Sequence, residues 1–186
     1  MDRRRSGLSR ALGGLILISA APSVQGNLFE DLLFEGYFGA GPLGWEYQDY
    51  EIEEARATGG RLMAGVLFNE HVGVEAHYAE GGTDTVDYET VNVEFEGLDG
   101  VFLRLNAPLW FIHTYALAGF SVVDMAIVPE ENISLADAPS ASDLSYGLGV
   151  ELRTPESYAL AADYVRYIDN SGFLFQAGTV SLKWRF

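Results

Sequence analysis

Three histidines are the natural starting points for acid–base or nucleophilic chemistry in a chain without cysteine. Each would need a nucleophile or an activated water beside it. His71 falls in a turn-forming stretch from Asn69 to His71. His113 is followed two positions on by Tyr115, so no His-x-Ser pair exists there. His77 shares an alternation face with Glu75 and could be oriented by it, but the same pair also serves as an ordinary buried polar contact. The sequence therefore predicts no catalytic residue. No phosphate loop, metal quartet or cofactor box is present, and Gly59-Gly60 and Gly81-Gly82 read as loop punctuation. No cofactor is expected.

The charged residues carry more information. Acidic side chains gather in three stretches: Glu46, Asp49, Glu51, Glu53 and Glu54; Glu80, Asp84, Asp87, Glu89, Glu94, Glu96 and Asp99; and Asp124, Glu130, Glu131, Asp137 and Asp143. Only Arg56 opposes them there. Carboxylate oxygens suit hard divalent cations, but no Gly-centred Asp-x-Asp-x-Asp spacing builds a coordination loop, and a solvated, self-repelling surface is the simpler expectation. A formal net charge of −16 argues against nucleic acid as a partner.

These residues must be positioned by strands. From Gly36 onward no helical period survives two turns, whereas apolar and polar residues alternate in short runs. Leu144, Tyr146, Leu148, Val150 and Leu152 share one face, against Ser145, Gly147, Gly149, Glu151 and Arg153. The same parity holds at Val180, Leu182, Trp184 and Phe186, at Val72, Val74, Ala76 and Tyr78, and at Val101, Leu103 and Leu105. Less regular runs at 36–45, 58–68, 112–123 and 158–167 bring the count to eight strands, with parity failing at Val165 and Arg166. Long connections (46–57, 80–99, 124–143) alternate with short ones (69–71, 106–111, 154–157), and a modest loop spans 169–172. Long loops at one end and tight turns at the other suit a closed antiparallel barrel.

Alternation alone does not say whether the apolar face fills a soluble barrel or meets lipid. The chain holds one lysine, Lys183, where a soluble sheet exterior normally carries many. Its polar faces are rich in Gly, Ala and Ser. Trp45, Tyr47, Trp110, Phe111, Tyr158, Trp184 and Phe186 lie near strand ends, where two interfacial aromatic girdles would sit. Lipid outside is the reading these features favour, in an all-β, eight-stranded, up-and-down transmembrane barrel. Arg61, Arg104, Arg153, Lys183 and Arg185 then point into a narrow lumen beside Glu75, Glu151 and Asp163, where they must pair, giving a plugged interior with no diffusion channel.

Residues 1–26 are expected to be a cleaved secretory signal: Arg3, Arg4, Arg5 and Arg10 precede an apolar run from Ala11 to Ala21 and a small-residue site at Val24-Gln25-Gly26. Cleavage after Gly26 is preferred, since a cut after Ala21 leaves Pro22 next. Removing that segment, of net charge +3, takes the chain from −16 to −19. Residues 27–186 form the barrel domain, with an amphipathic lead-in over 27–35.

The ending Leu182-Lys183-Trp184-Arg185-Phe186, with Trp184 two residues before a terminal Phe186, resembles the strand by which outer-membrane insertion machinery recognises its clients. Together with Tyr115 to Gly119, Gly147 to Arg153 and Asp163 to Tyr167, it resembles the small outer-membrane barrels that include OmpX and the OmpA transmembrane domain. That resemblance implies a monomer in the cell outer membrane of a Gram-negative bacterium, in contact with lipid and lipopolysaccharide. Unlike the OmpA type, no peptidoglycan-binding domain is expected after the barrel. A structural or surface-interaction role is expected, with a lipid A-modifying enzyme and a narrow pore as alternatives.

Overall fold

The computed structural model describes residues 34–49, 54–86, 91–129, 140–170 and 173–186. The expected leader and most of the 27–35 lead-in lie outside them, as do Glu51, Glu53, Asp87, Glu89, Glu130, Glu131 and Asp137.

Nine strand segments follow in chain order: β1 (Glu35–Asp49), β2 (Ala55–Leu67), β3 (Val72–Glu80), β4 (Thr83–Val86), β5 (Val91–Leu109), β6 (Ile112–Pro129), β7 (Ser140–Arg153), β8 (Tyr158–Asn170) and β9 (Phe173–Arg185). They form one antiparallel sheet in the order β3-β2-β1-β9-β8-β7-β6-β5-β4, closed by a further pairing of β3 with β5. Because β3 and β4 pair with successive lengths of β5, they occupy one place in the wall, and the barrel has eight staves. Closure pairs the two edges of the sheet with each other, the condition for a sheet to cross a membrane.

The break between β3 and β4 is made by Gly81 and Gly82, at φ of 92° and 99°, a region open to glycine. A side chain at Gly82 would also overlap the Thr58 carbonyl and the Trp45 indole nitrogen, which donates to the Gly81 carbonyl at 3.1 Å. Opposite this break the register of β5 slips between Phe95 and Gly97. The bulge turns Val93, Phe95 and Leu98 inward while Glu94, Glu96 and Asp99 face out. A second slip lies between Arg166 and Ile168 in β8 and buries both Tyr167 and Ile168.

The strands extend further than alternation suggested. Glu46, Glu80, Glu94, Glu96, Asp99, Asp124 and Asp143, expected in loops, stand on strands, and Gly59-Gly60 is the middle of β2. The short turns end where expected: β2–β3, β5–β6 and β7–β8 turn at 68–71, at 110–111 and at 154–157. The start of β1 and the end of β9 share that end of the barrel, where Gly36 and Phe186 exchange backbone hydrogen bonds of 3.0 and 2.9 Å.

Candidate functional site

The barrel interior has two tiers. The one nearer the short turns is ionic, because the inward residues of β2, β3, β5, β7, β8 and β9 there are Arg61, Glu75 with His77, Arg104, Glu151, Asp163 and Lys183, all buried. Arg104 sits at the centre. It donates to Glu75 at 2.6 Å, Glu151 at 2.8 Å and Asn106 at 2.8 Å, with its guanidinium 3.8 Å from the centre of the Tyr115 ring. Lys183 lies 3.3 Å from both Glu75 and Glu151. Arg61 reaches across β1 and β9 to Asp163 at 2.6 Å, which also accepts from the Tyr115 hydroxyl at 2.8 Å. Such an arrangement is required in so narrow a space, since a buried charge without a partner costs several kcal/mol.

Arg153 and Arg185 stand at the lower mouth of this tier. Arg153 pairs with Glu151 at 2.6 Å and with Glu35 at 3.4 Å, while Arg185 meets Glu35 at 3.5 Å and donates to the Thr154 and Glu156 carbonyls. Glu35, the last residue of the expected lead-in, instead opens β1 and faces both arginines.

The three histidines lie in three separate settings. His77 Nε2 lies 2.7 Å from Glu75 and its Nδ1 lies 3.0 Å from the Tyr167 hydroxyl, so both nitrogens face buried partners. His71 is on the exposed 68–71 turn, and His113 is buried just past the β5–β6 turn. Among the described residues no group of three or more acidic, histidine or cysteine side chains is arranged to hold a metal ion.

The second tier, towards the far end, is apolar. Trp45 stacks on Phe175 at 6.0 Å, Phe95 meets Phe175 at 4.9 Å, and Tyr47 meets Phe173 edge-on at 4.9 Å. Leu98, Met125 and Ile168 complete this packing. Trp45 and Tyr47 are thus not girdle residues. At 2% and 0% exposure they point inward, since Leu43, Trp45 and Tyr47 continue the inward parity of β1.

The outer surface is the complement of this interior. Around the ionic tier it is apolar, with Leu148 70%, Val150 38% and Trp184 41% exposed. Around the apolar tier it carries Glu94, Glu96, Asp99 and Asp124.

The whole barrel is covered by the family model described as outer membrane protein beta-barrel domain, which matches residues 11–186. The chain belongs to this family. Like other outer membrane protein beta-barrel domains, it sits in the outer membrane of a Gram-negative cell. No curated protein sequence matches it. Among solved structures it is similar to Ail, the attachment invasion locus protein of Yersinia pestis, at 15% identity and TM-score 0.63, covering 82% of this chain and 99% of Ail. It is also similar to OprG of Pseudomonas aeruginosa (10% identity, TM-score 0.64, 83% and 97% covered) and to Neisserial surface protein A (14% identity, TM-score 0.58, 81% and 97% covered).

Membership in the family fixes the apolar band of the wall as the part in hydrocarbon. Its lower edge carries Trp110, Phe111, Tyr158, Trp184 and Phe186, all exposed. The upper edge carries Tyr78, Phe120, Tyr146 and Tyr164. Tyr78 and Tyr146 direct their hydroxyls to Glu80 and Asp169 at 2.6 and 3.0 Å, the amphipathic posture of interfacial tyrosines. Above that edge the arrangement changes over, and the wall carries carboxylates outside and aromatics within.

Proposed function

We propose that this barrel is a non-enzymatic, non-conducting surface-interaction protein that presents an acidic wall above the outer membrane. One observation carries the reading. The lumen is occupied through both tiers, by crosswise ion pairs below and by packed aromatics above, which leaves the outward wall above the apolar band as the part offered to the exterior. Ail was solved with the heparin analogue sucrose octasulfate, a polyanion. The carboxylates on this chain's upper wall favour partners of the opposite sign.

In this reading the chain acts as a monomer, contacts lipid and lipopolysaccharide through its apolar band, and reaches the assembly machinery through Trp184 and Phe186. Nucleic acid is not a partner of so acidic a surface. Planar-bilayer recording and mass analysis of lipid A test it together. Silent bilayers and unshifted lipid A are expected; stepwise conductance would replace the reading with a narrow pore, and a lipid A mass shift on expression would replace it with an enzyme.

A further inference from the structure

We infer that the wall between β7 and β8 opens above the membrane into a site for an extended, basic segment of another protein, added as a strand; this rests on the surface-interaction reading. The β7–β8 ladder stops at Tyr146↔Arg166. Its neighbours continue: β6–β7 runs on to Asp124↔Ser140, and β8–β9 to Asn170↔Phe173. Residues 140–145 and 167–169 therefore each keep a ladder on one side and, among the described residues, none toward each other.

Side chains stand in for the absent ladder. Outside, Asp169 accepts from the Tyr146 hydroxyl at 3.0 Å and pairs with Arg166 at 2.9 Å. Inside, the Ser145 hydroxyl donates to the Tyr167 carbonyl at 2.7 Å. Within the open stretch, the Leu144 amide donates to its neighbour Asp143 at 2.7 Å rather than to a strand. Open edges cost several kcal/mol per group in hydrocarbon and are tolerable only in water. This split begins at Tyr146, on the upper aromatic edge, so it lies where a free edge can persist and be reached.

An exposed edge pairs with an extended peptide through its backbone, while alternating side chains set the specificity. Here the inward positions are Ala141, Asp143, Ser145, Tyr167 and Ile168, with the Asp143 carboxylate drawn onto the edge by the Leu144 amide, and the outward ones are Ser142, Leu144 and Asp169, with Asp124 one strand further on β6. The fitting strand alternates small apolar and basic residues. A second copy of this chain is a poor occupant, because both copies would bring the same acidic wall.

The probe is a fluorescent octapeptide of alternating Lys and Val, titrated against the full chain folded in lipid nanodiscs. A peptide of identical charge, N-methylated at alternate residues, isolates the backbone contribution. The Leu144 amide points to the open side, so by the two-residue period that of Ser142 does too, and Ser142→Pro removes a donor there without taking one from β6. Saturable binding is expected, weakened at least tenfold by N-methylation and by Ser142→Pro, with the heat-modifiable gel shift of the folded barrel unchanged in that variant. Absence of binding to the unsubstituted chain, or equal binding of both peptides, overturns the inference. Neither result bears on conductance or lipid A, so the failure of the broader reading stays distinguishable.

Discussion

Arg61→Met is the sharpest test of the plug. Arg61 is the one cation paired with Asp163 among the described residues, at 2.6 Å, with both side chains fully buried. Its removal strands a carboxylate that retains only the Tyr115 hydroxyl at 2.8 Å. Breaking a buried pair from one side costs about 3–5 kcal/mol, a hundredfold or more in the folding equilibrium. Arg104→Met is expected to cost less, about 1.5–3 kcal/mol, the worth of a hydrogen bond to a charged group, because Lys183 remains 3.3 Å from both Glu75 and Glu151. Adding Asp163→Asn to Arg61→Met should recover much of the loss, since no uncompensated charge is then left. Reversible urea unfolding in lipid vesicles, followed by tryptophan fluorescence, measures all of these. A loss below about 1 kcal/mol for Arg61→Met, or a double variant as unstable as the sum of the two single ones, would refute the claim that the lumen is held by specific ion pairs.

Leu148→Lys puts a charge on the hydrocarbon side of the wall and should destabilise the barrel by about 2–4 kcal/mol, read in the same unfolding assay; a neutral outcome would mean that this face does not meet lipid. Deleting Phe186 removes the partner of the Gly36 backbone groups and should abolish the heat-modifiable form while export across the inner membrane continues. Trp45→Ala empties the centre of the upper aromatic tier and should cost about 3–5 kcal/mol, whereas a girdle position would lose far less. The Arg166 hydrogen bond holds the Asp169 carboxyl below the usual aspartate range. A depressed pKa means the clasp contributes above the unfolded value and is lost as pH falls through the lower folded one. The outer clasp should thus survive mild acid, as followed by a tyrosine signal from Tyr146.

Much of the barrel was legible because a strand has a period of two and a lumen tolerates charge only on one face. Leu148 and Val150 against Glu151 announce both facts in four residues. The wall above the membrane was harder, because the same alternation holds there with its meaning reversed. In Val93-Glu94-Phe95-Glu96 the apolar residues are the inward ones, so a reader expecting apolar outside sees an acidic loop. The alternation of Leu43, Trp45 and Tyr47 with Gly44, Glu46 and Gln48 was the available sign. Pairings such as Arg61 with Asp163 were not legible at all: they join β2 and β8, with β1 and β9 between them, and exist only once the sheet curls round its lumen.

The reversal of the wall at the upper tyrosines also bears on biogenesis. A chain delivered from the periplasmic side must carry Glu46, Glu80, Glu94, Glu96, Asp99 and Asp124 through hydrocarbon before any of them reaches water. Ferrying that acidic crown across, rather than forming the greasy hoop beneath it, is the step that a helper in the membrane must ease, and neutralising crown residues should shorten unassisted insertion into thin bilayers.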